Sequence, residues 1–161
     1  MHPKPQEEPT PPVFGNSIFC DDIRQEVNAK QSLMGVYPHV ISIQGSFPFA
    51  LPKLCISVQF FELNEIAFVR DWEIPLVVLG PGQTIDEPAL RLSVPVPPDD
   101  AKVSSRKLSD KLEQLYMITS LGIVFQPLVI NTPGFVRVRA LYKDKIIKVG
   151  SLRVEQGSLS P

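Results

Sequence analysis

The sequence predicts an all-β domain, a twisted antiparallel sandwich, and three observations carry that reading. Apolar residues recur at every second position through most of the chain, turn residues punctuate it about every ten residues, and the length suits one domain. At 161 residues the chain is long enough for one core and short for two. A domain of that size buries roughly two-thirds of its unfolded surface and needs neither disulfides nor a structural metal.

The alternation begins after a proline-rich leader. Residues 1–15 read as a disordered tail, because Met1 to Pro12 offers nothing apolar to bury. The sandwich is expected over residues 16–156, with a flexible C-terminus at 157–161. Leu54, Ile56, Val58 and Phe60 share one face of a strand. Ile66, Phe68, Trp72 and Ile74 keep one parity and read as another strand, interrupted by Arg70. Leu90, Leu92, Val94 and Val96 alternate with Arg91 and Ser93, and Pro95 marks this strand as a sheet edge, since proline donates no ladder bond. Val136, Val138, Ala140 and Tyr142 alternate with Arg137 and Arg139. One apolar and one wet face is the pattern of antiparallel sheets. Phe60, Ile56, Trp72, Leu92 and Val138 are the expected core.

The turns agree. Lys143-Asp144-Lys145 joins the strand ending at Tyr142 to a strand running from Ile146 to Val154. That second strand changes parity between Ile147/Val149 and Leu152/Val154, and Gly150 marks the expected β-bulge. Pro81-Gly82-Gln83, Pro97 to Asp100 and Pro133-Gly134 are further turns. Leu108, Leu112, Leu115 and Tyr116 follow helical spacing and predict one short helix over Ser105 to Met117, the alternative being that Tyr116 to Ser120 already belongs to a strand. About seven to nine strands with one short helix describe an immunoglobulin- or C2-like sandwich.

Composition narrows the chemistry. The formal net charge of −1 gives no reason to expect nucleic acid as a partner, while leaving room for a local basic patch created by folding. No run reaches the length of a membrane span, and the leader is not a signal peptide, so a cytoplasmic setting is expected. Cys20 and Cys55 both lie in apolar runs and read as reduced, buried thiols. His39 is the single histidine outside the tail, too few for a histidine metal site. No nucleophile elbow, phosphate-binding loop, zinc spacing or EF-hand appears, so no catalytic residue and no cofactor is assigned.

The densest polar cluster runs from Cys20 through Asp21, Asp22, Arg24 and Glu26 to Lys30. Asp21, Asp22, Arg24, Glu26 and Lys30 are the candidate binding residues. Mixed signs favour mutual pairing, so these groups are expected to fasten the first strand to its successor. Two alternatives use the same carboxylates. Asp21 and Asp22 with Asp99 and Asp100 would form a Ca²⁺ site of the C2 kind, because hard cations want several oxygens. Asp21, Asp22 and Glu26 would serve a small hydrolase.

The stretch Cys20-Asp21-Asp22-Ile23-Arg24-Gln25-Glu26, then Lys30-Gln31-Ser32-Leu33-Met34-Gly35-Val36-Tyr37, resembles the opening motif of an uncharacterised bacterial family, a domain of unknown function. Pro48, Leu51-Pro52 and Leu54 match its second element, and Pro133-Gly134-Phe135-Val136-Arg137-Val138 its last, with Phe135 where the family has tyrosine. The resemblance implies the domain limits and a β fold, and leaves function open. The lack of a catalytic set, the sandwich architecture and strand edges able to add a partner strand lead to the expectation of a non-enzymatic binding or scaffolding module with a protein partner, as a monomer or homodimer.

Overall fold

A computed structural model describes residues 11–100 and 116–157. The described chain is mostly strand. In order it forms β1 (Val13–Cys20), β2 (Asp22–Gln25), a 3-10 turn (Val27–Ala29), β3 (Gln31–Met34), β4 (Val40–Ile43), β5 (Phe49–Leu51), β6 (Leu54–Leu63), α1 (Asn64–Val69), β7 (Ile74–Leu79), β8 (Leu90–Val94), β9 (Tyr116–Phe125), β10 (Leu128–Ile130), β11 (Gly134–Tyr142) and β12 (Lys145–Gln156). The strand count exceeds the expected seven to nine because β2, β3, β5 and β10 are pieces of three or four residues.

Two sheets make the sandwich. One has the order β1-β6-β9 and the other β4-β12-β11-β7-β8, with small two-stranded pairs β2-β3 and β5-β10 beside them. Among the described residues all pairings are antiparallel except β12 with β4. The antiparallel sandwich holds, with this one parallel pair at a sheet edge. Sequence alternation is the same for either direction when one face stays wet, so periodicity alone carried no sign of it.

The core forms where the apolar parities of the two sheets meet. Leu54, Ile56, Val58 and Phe60 of β6 face Leu76 and Val78 of β7, Val136, Val138 and Ala140 of β11, and Leu152 and Val154 of β12. Each of these side chains is at most 1% exposed. Trp72 and Leu92 depart from the expected core and are only partly buried against it. Trp72 sits at the rim, its ring 6.2 Å from that of Tyr142 and beneath the Lys143 ammonium.

The expected β11–β12 hairpin forms, closing through Lys143 and Asp144 with Lys145 already in β12, and the ladder slips at the expected place. Val138 faces Gly150 while Arg139 faces Lys148, so Val149 is the extra residue. The bulge fits β12 against β1: a Cβ added at Gly150 would stand 1.7 Å from Ser17 Oγ, and Ser17 Oγ donates to Val149 O at 3.4 Å. Glycine is the residue that lets the two sheets touch there. β8 is an edge strand, as Pro95 implied.

The segment after β6 differs from the expectation. Asn64 to Val69 is helix, not strand, and Arg70 behind it is fully buried. The residues Ile66 and Phe68 kept a strand's parity by accident. What bends the chain is Glu62, whose buried carboxylate draws Arg70 back beneath the helix at 2.8 and 2.9 Å. The helix expected over Ser105 to Met117 lies, up to residue 115, outside the described residues, while Tyr116 to Ser120 belongs to β9. The ordered strand starts at Val13, ahead of the boundary near Asn16. Leu63 N–H donates to Pro12 O at 2.9 Å and the Tyr116 hydroxyl to Pro11 O at 2.8 Å, so the end of the proline stretch is tied to the sheet.

Candidate functional site

The polar cluster singled out in the sequence builds a small hairpin. Asp22 to Gln25 pair with Gln31 to Met34, and Glu26 N–H closes the turn on Lys30 O at 2.8 Å. Two carboxylates fix this hairpin to the sheet. Asp21 accepts a hydrogen bond from the Tyr37 hydroxyl, and Tyr37 N–H donates to Phe19 O at 2.8 Å. Asp22 accepts from Lys53 Nζ at 2.5 Å and from Arg24 Nε at 3.3 Å. The Lys53 hydrogen bond, with Arg24 behind it, holds the Asp22 carboxyl below its ordinary range. Asp22 in turn raises the Lys53 ammonium. Burial, reinforced by the hydrogen bond to Asp21, pushes the Tyr37 hydroxyl up to about 12.

Gly35 is required at this joint. Its φ is +63°, and a Cβ there would lie 2.0 Å from Asp21 Oδ2. The Gly-Val-Tyr end of the motif therefore has a physical role: a left-handed residue that turns the chain, followed two residues on by the hydroxyl that Asp21 holds.

Of the five candidate residues, Asp21, Asp22 and Arg24 converge on this joint. The side chains of Glu26 and Lys30 stand exposed at the hairpin turn and make no ion pair among the described residues. No group of three or more His, Cys, Asp or Glu side chains gathers as a metal site among the described residues, so Asp21, Asp22, Asp99 and Asp100 do not converge. Lys53 is the partner that sequence reading missed. It lies 31 positions from Asp22, and only the pairing of β1 with β6 brings it near.

Beneath the hairpin lie the two cysteines. Cys20 faces Cys55 across the β1–β6 ladder, and both are buried free thiols. Their Sγ atoms meet Asp22 O at 3.4 Å and Asp21 O at 3.5 Å. Burial, then the neighbouring Cys55, pushes the Cys20 thiol up, the reverse of what a nucleophile needs. Among the described residues no hydrogen bond joins either thiol to the exposed His39.

The hairpin roofs one end of the outer face of the β1-β6-β9 sheet and leaves a cleft of about 310 Å³. Ala29, Gln31 and Leu33 form its wall, and Asn16, Ile18, Ser57, Gln59 and Ser120 its floor. Asn16 pairs with Gln59 and Gln59 with Ser120, so three neutral hydrogen-bonding side chains stand in one row across three strands. Beyond them Phe14 stacks on Phe61 at 4.6 Å, with Tyr116 edge-on at 5.2 Å. The lining holds no carboxylate, imidazole or amine. It offers amides and hydroxyls to an uncharged polar ligand and no acid–base pair. The signal for this row was outward parity in three separate strands, which becomes a site only when those strands are placed side by side.

No family model, curated protein or solved structure matches the chain. Among the described residues no helix is long and apolar enough to cross a membrane.

Proposed function

We propose that the protein is a non-enzymatic β-sandwich binding module, and that a protein partner lays an extended segment across the Asn16–Gln59–Ser120 row. The row itself carries the reading. Asparagine, glutamine and serine side chains both donate and accept, which matches the alternating N–H and C=O groups of a peptide backbone. β9 borders this face as the last strand of its sheet among the described residues. Ile118 and Val124, both about half exposed on β9, supply apolar contacts along it. The engaged state of Asp21 and Asp22 agrees with a fastening role for the hairpin rather than a hydrolytic one.

The reading includes a bacterial cytoplasmic setting, a monomeric or homodimeric chain and membership of the resembled family, all on the strength of the sequence alone. The test is capture of the partner from an extract of the native host by the full chain, beside Gln59→Arg and Ser120→Arg. Both variants should keep the melting temperature and lose the partner. Equal capture by the variants, or no captured protein, would overturn the proposal.

A further inference from the structure

The outer face of the five-stranded sheet carries a second cleft, of about 470 Å³, between the Gln83-Thr84-Ile85 loop and strands β11 and β12. Its charged lining is wholly cationic: Arg137, Arg139 and Lys148. The alternation that buries Val136, Val138 and Ala140 turns Arg137 and Arg139 to this face, and the ladder sets Arg139 opposite Lys148. None of the three has an ion pair among the described residues, whereas Arg153 on the same sheet meets Glu155 at 3.2 Å. For a chain of net charge −1, three cations in one cleft without a counter-charge among the described residues need a separate explanation.

Both guanidiniums are held in place with donors to spare. Arg137 Nη2 donates to Gln83 O at 2.9 Å and tethers the loop, while its Nε is buried with no acceptor among the described residues. Arg139 Nη1 donates to Val138 O at 2.8 Å and to Gly150 O at 2.9 Å, at the bulge. Burial, and the neighbouring Arg137, push Arg139 down from its ordinary range, so the cations oppose one another as they stand. An anion between them removes that repulsion.

We infer that this cleft binds a small organic phosphate, its phosphoryl oxygens held by Arg137, Arg139 and Lys148. Guanidinium forks match phosphate geometry, and three cations suit an anion of more than one charge better than a single carboxylate. Leu79, Ile85 and Ile146 give an apolar wall for the organic part, and the volume lies in the ordinary range of small-molecule sites.

The test is calorimetric titration of the full chain with pyrophosphate, ATP, citrate and a single-stranded DNA oligomer, in magnesium-free buffer. Saturable binding of pyrophosphate and ATP, weakening as salt rises, is expected. Lys148→Gln and Arg139→Gln should each weaken it about tenfold or more, the loss expected of one charge-assisted hydrogen bond. Arg153→Gln, which removes a cation that Glu155 already neutralises, should leave it unchanged. Lys148 is exposed and has no partner among the described residues, so its substitution keeps the test valid if Arg139→Gln unfolds the bulge. Absence of saturable binding, or binding indifferent to Lys148→Gln, overturns the inference. Citrate binding tighter than either phosphate compound, or the DNA oligomer binding tighter than ATP, overturns the ligand class.

Discussion

Arg70 and Glu62 form a bidentate ion pair sealed from solvent, with Nε to Oε1 at 2.8 Å and Nη2 to Oε2 at 2.9 Å and both side chains at most 1% exposed. Arg70 also donates to Trp72 O and to Pro95 O, so one guanidinium ties the end of β6, the loop before β7 and the end of β8. Removing one partner of such a pair leaves a buried charge unpaired. Arg70→Met should cost about 3–5 kcal/mol, and the double variant Arg70→Met/Glu62→Leu should cost less than the sum of its parts. Urea denaturation of the three variants measures this; a cost under about 1 kcal/mol for Arg70→Met would show the pair to be open to water.

Phe60 lies at the centre of the shared core, 1% exposed and packed among residues of both sheets. Phe60→Ala should destabilise the domain by about 3–5 kcal/mol, lost transfer and an unfilled cavity together. The midpoint of denaturant unfolding gives the value, and a shift below about 1 kcal/mol would contradict the parity of β6.

At Gly35 the expected cost has two parts. A left-handed backbone strains any residue bearing a Cβ, by about 1–3 kcal/mol. The added methyl also collides with the Asp21 carboxylate. Gly35→Ala should therefore destabilise more than Gly82→Ala, where φ is also positive but the space is open. Equal losses for the two variants would mean that Asp21 yields without consequence.

The hairpin joint should make stability depend on pH at both extremes. Asp22 titrates below its ordinary value of 3.8 when folded, so its contribution is present above that pH and lost as pH falls through the lowered value. Tyr37 titrates at about 12 against an ordinary 10.0, so its contribution is present below pH 10.0 and lost as pH rises toward 12. Asp22→Asn should flatten the acid limb of a stability profile and Tyr37→Phe the alkaline limb. Wild-type slopes persisting in both variants would refute the assignment.

The sequence by itself determined the fold class, because a period of two with one wet face has few solutions other than packed sheets. It determined most of the core, in Leu54 to Phe60 and Val136 to Tyr142, and the bulge at Gly150, where a change of parity forces an unpaired residue. It also marked the segment from Asp21 to Lys30 as a polar cluster, although of the pairs expected inside it only Asp22 with Arg24 forms among the described residues. The tertiary structure decided the rest. Ile66 and Phe68 kept a strand's parity, yet the segment is helix, because a buried Glu62 needs Arg70 and a turn of helix brings it back. The parallel pairing of β4 left no trace in periodicity. Asn16, Gln59 and Ser120 are far apart in the chain, as are Lys148 and Arg137 by a shorter span, and each set becomes a surface only through strand pairing. Local patterns fix which face a side chain takes; which faces meet is a property of long-range contacts that no single segment contains.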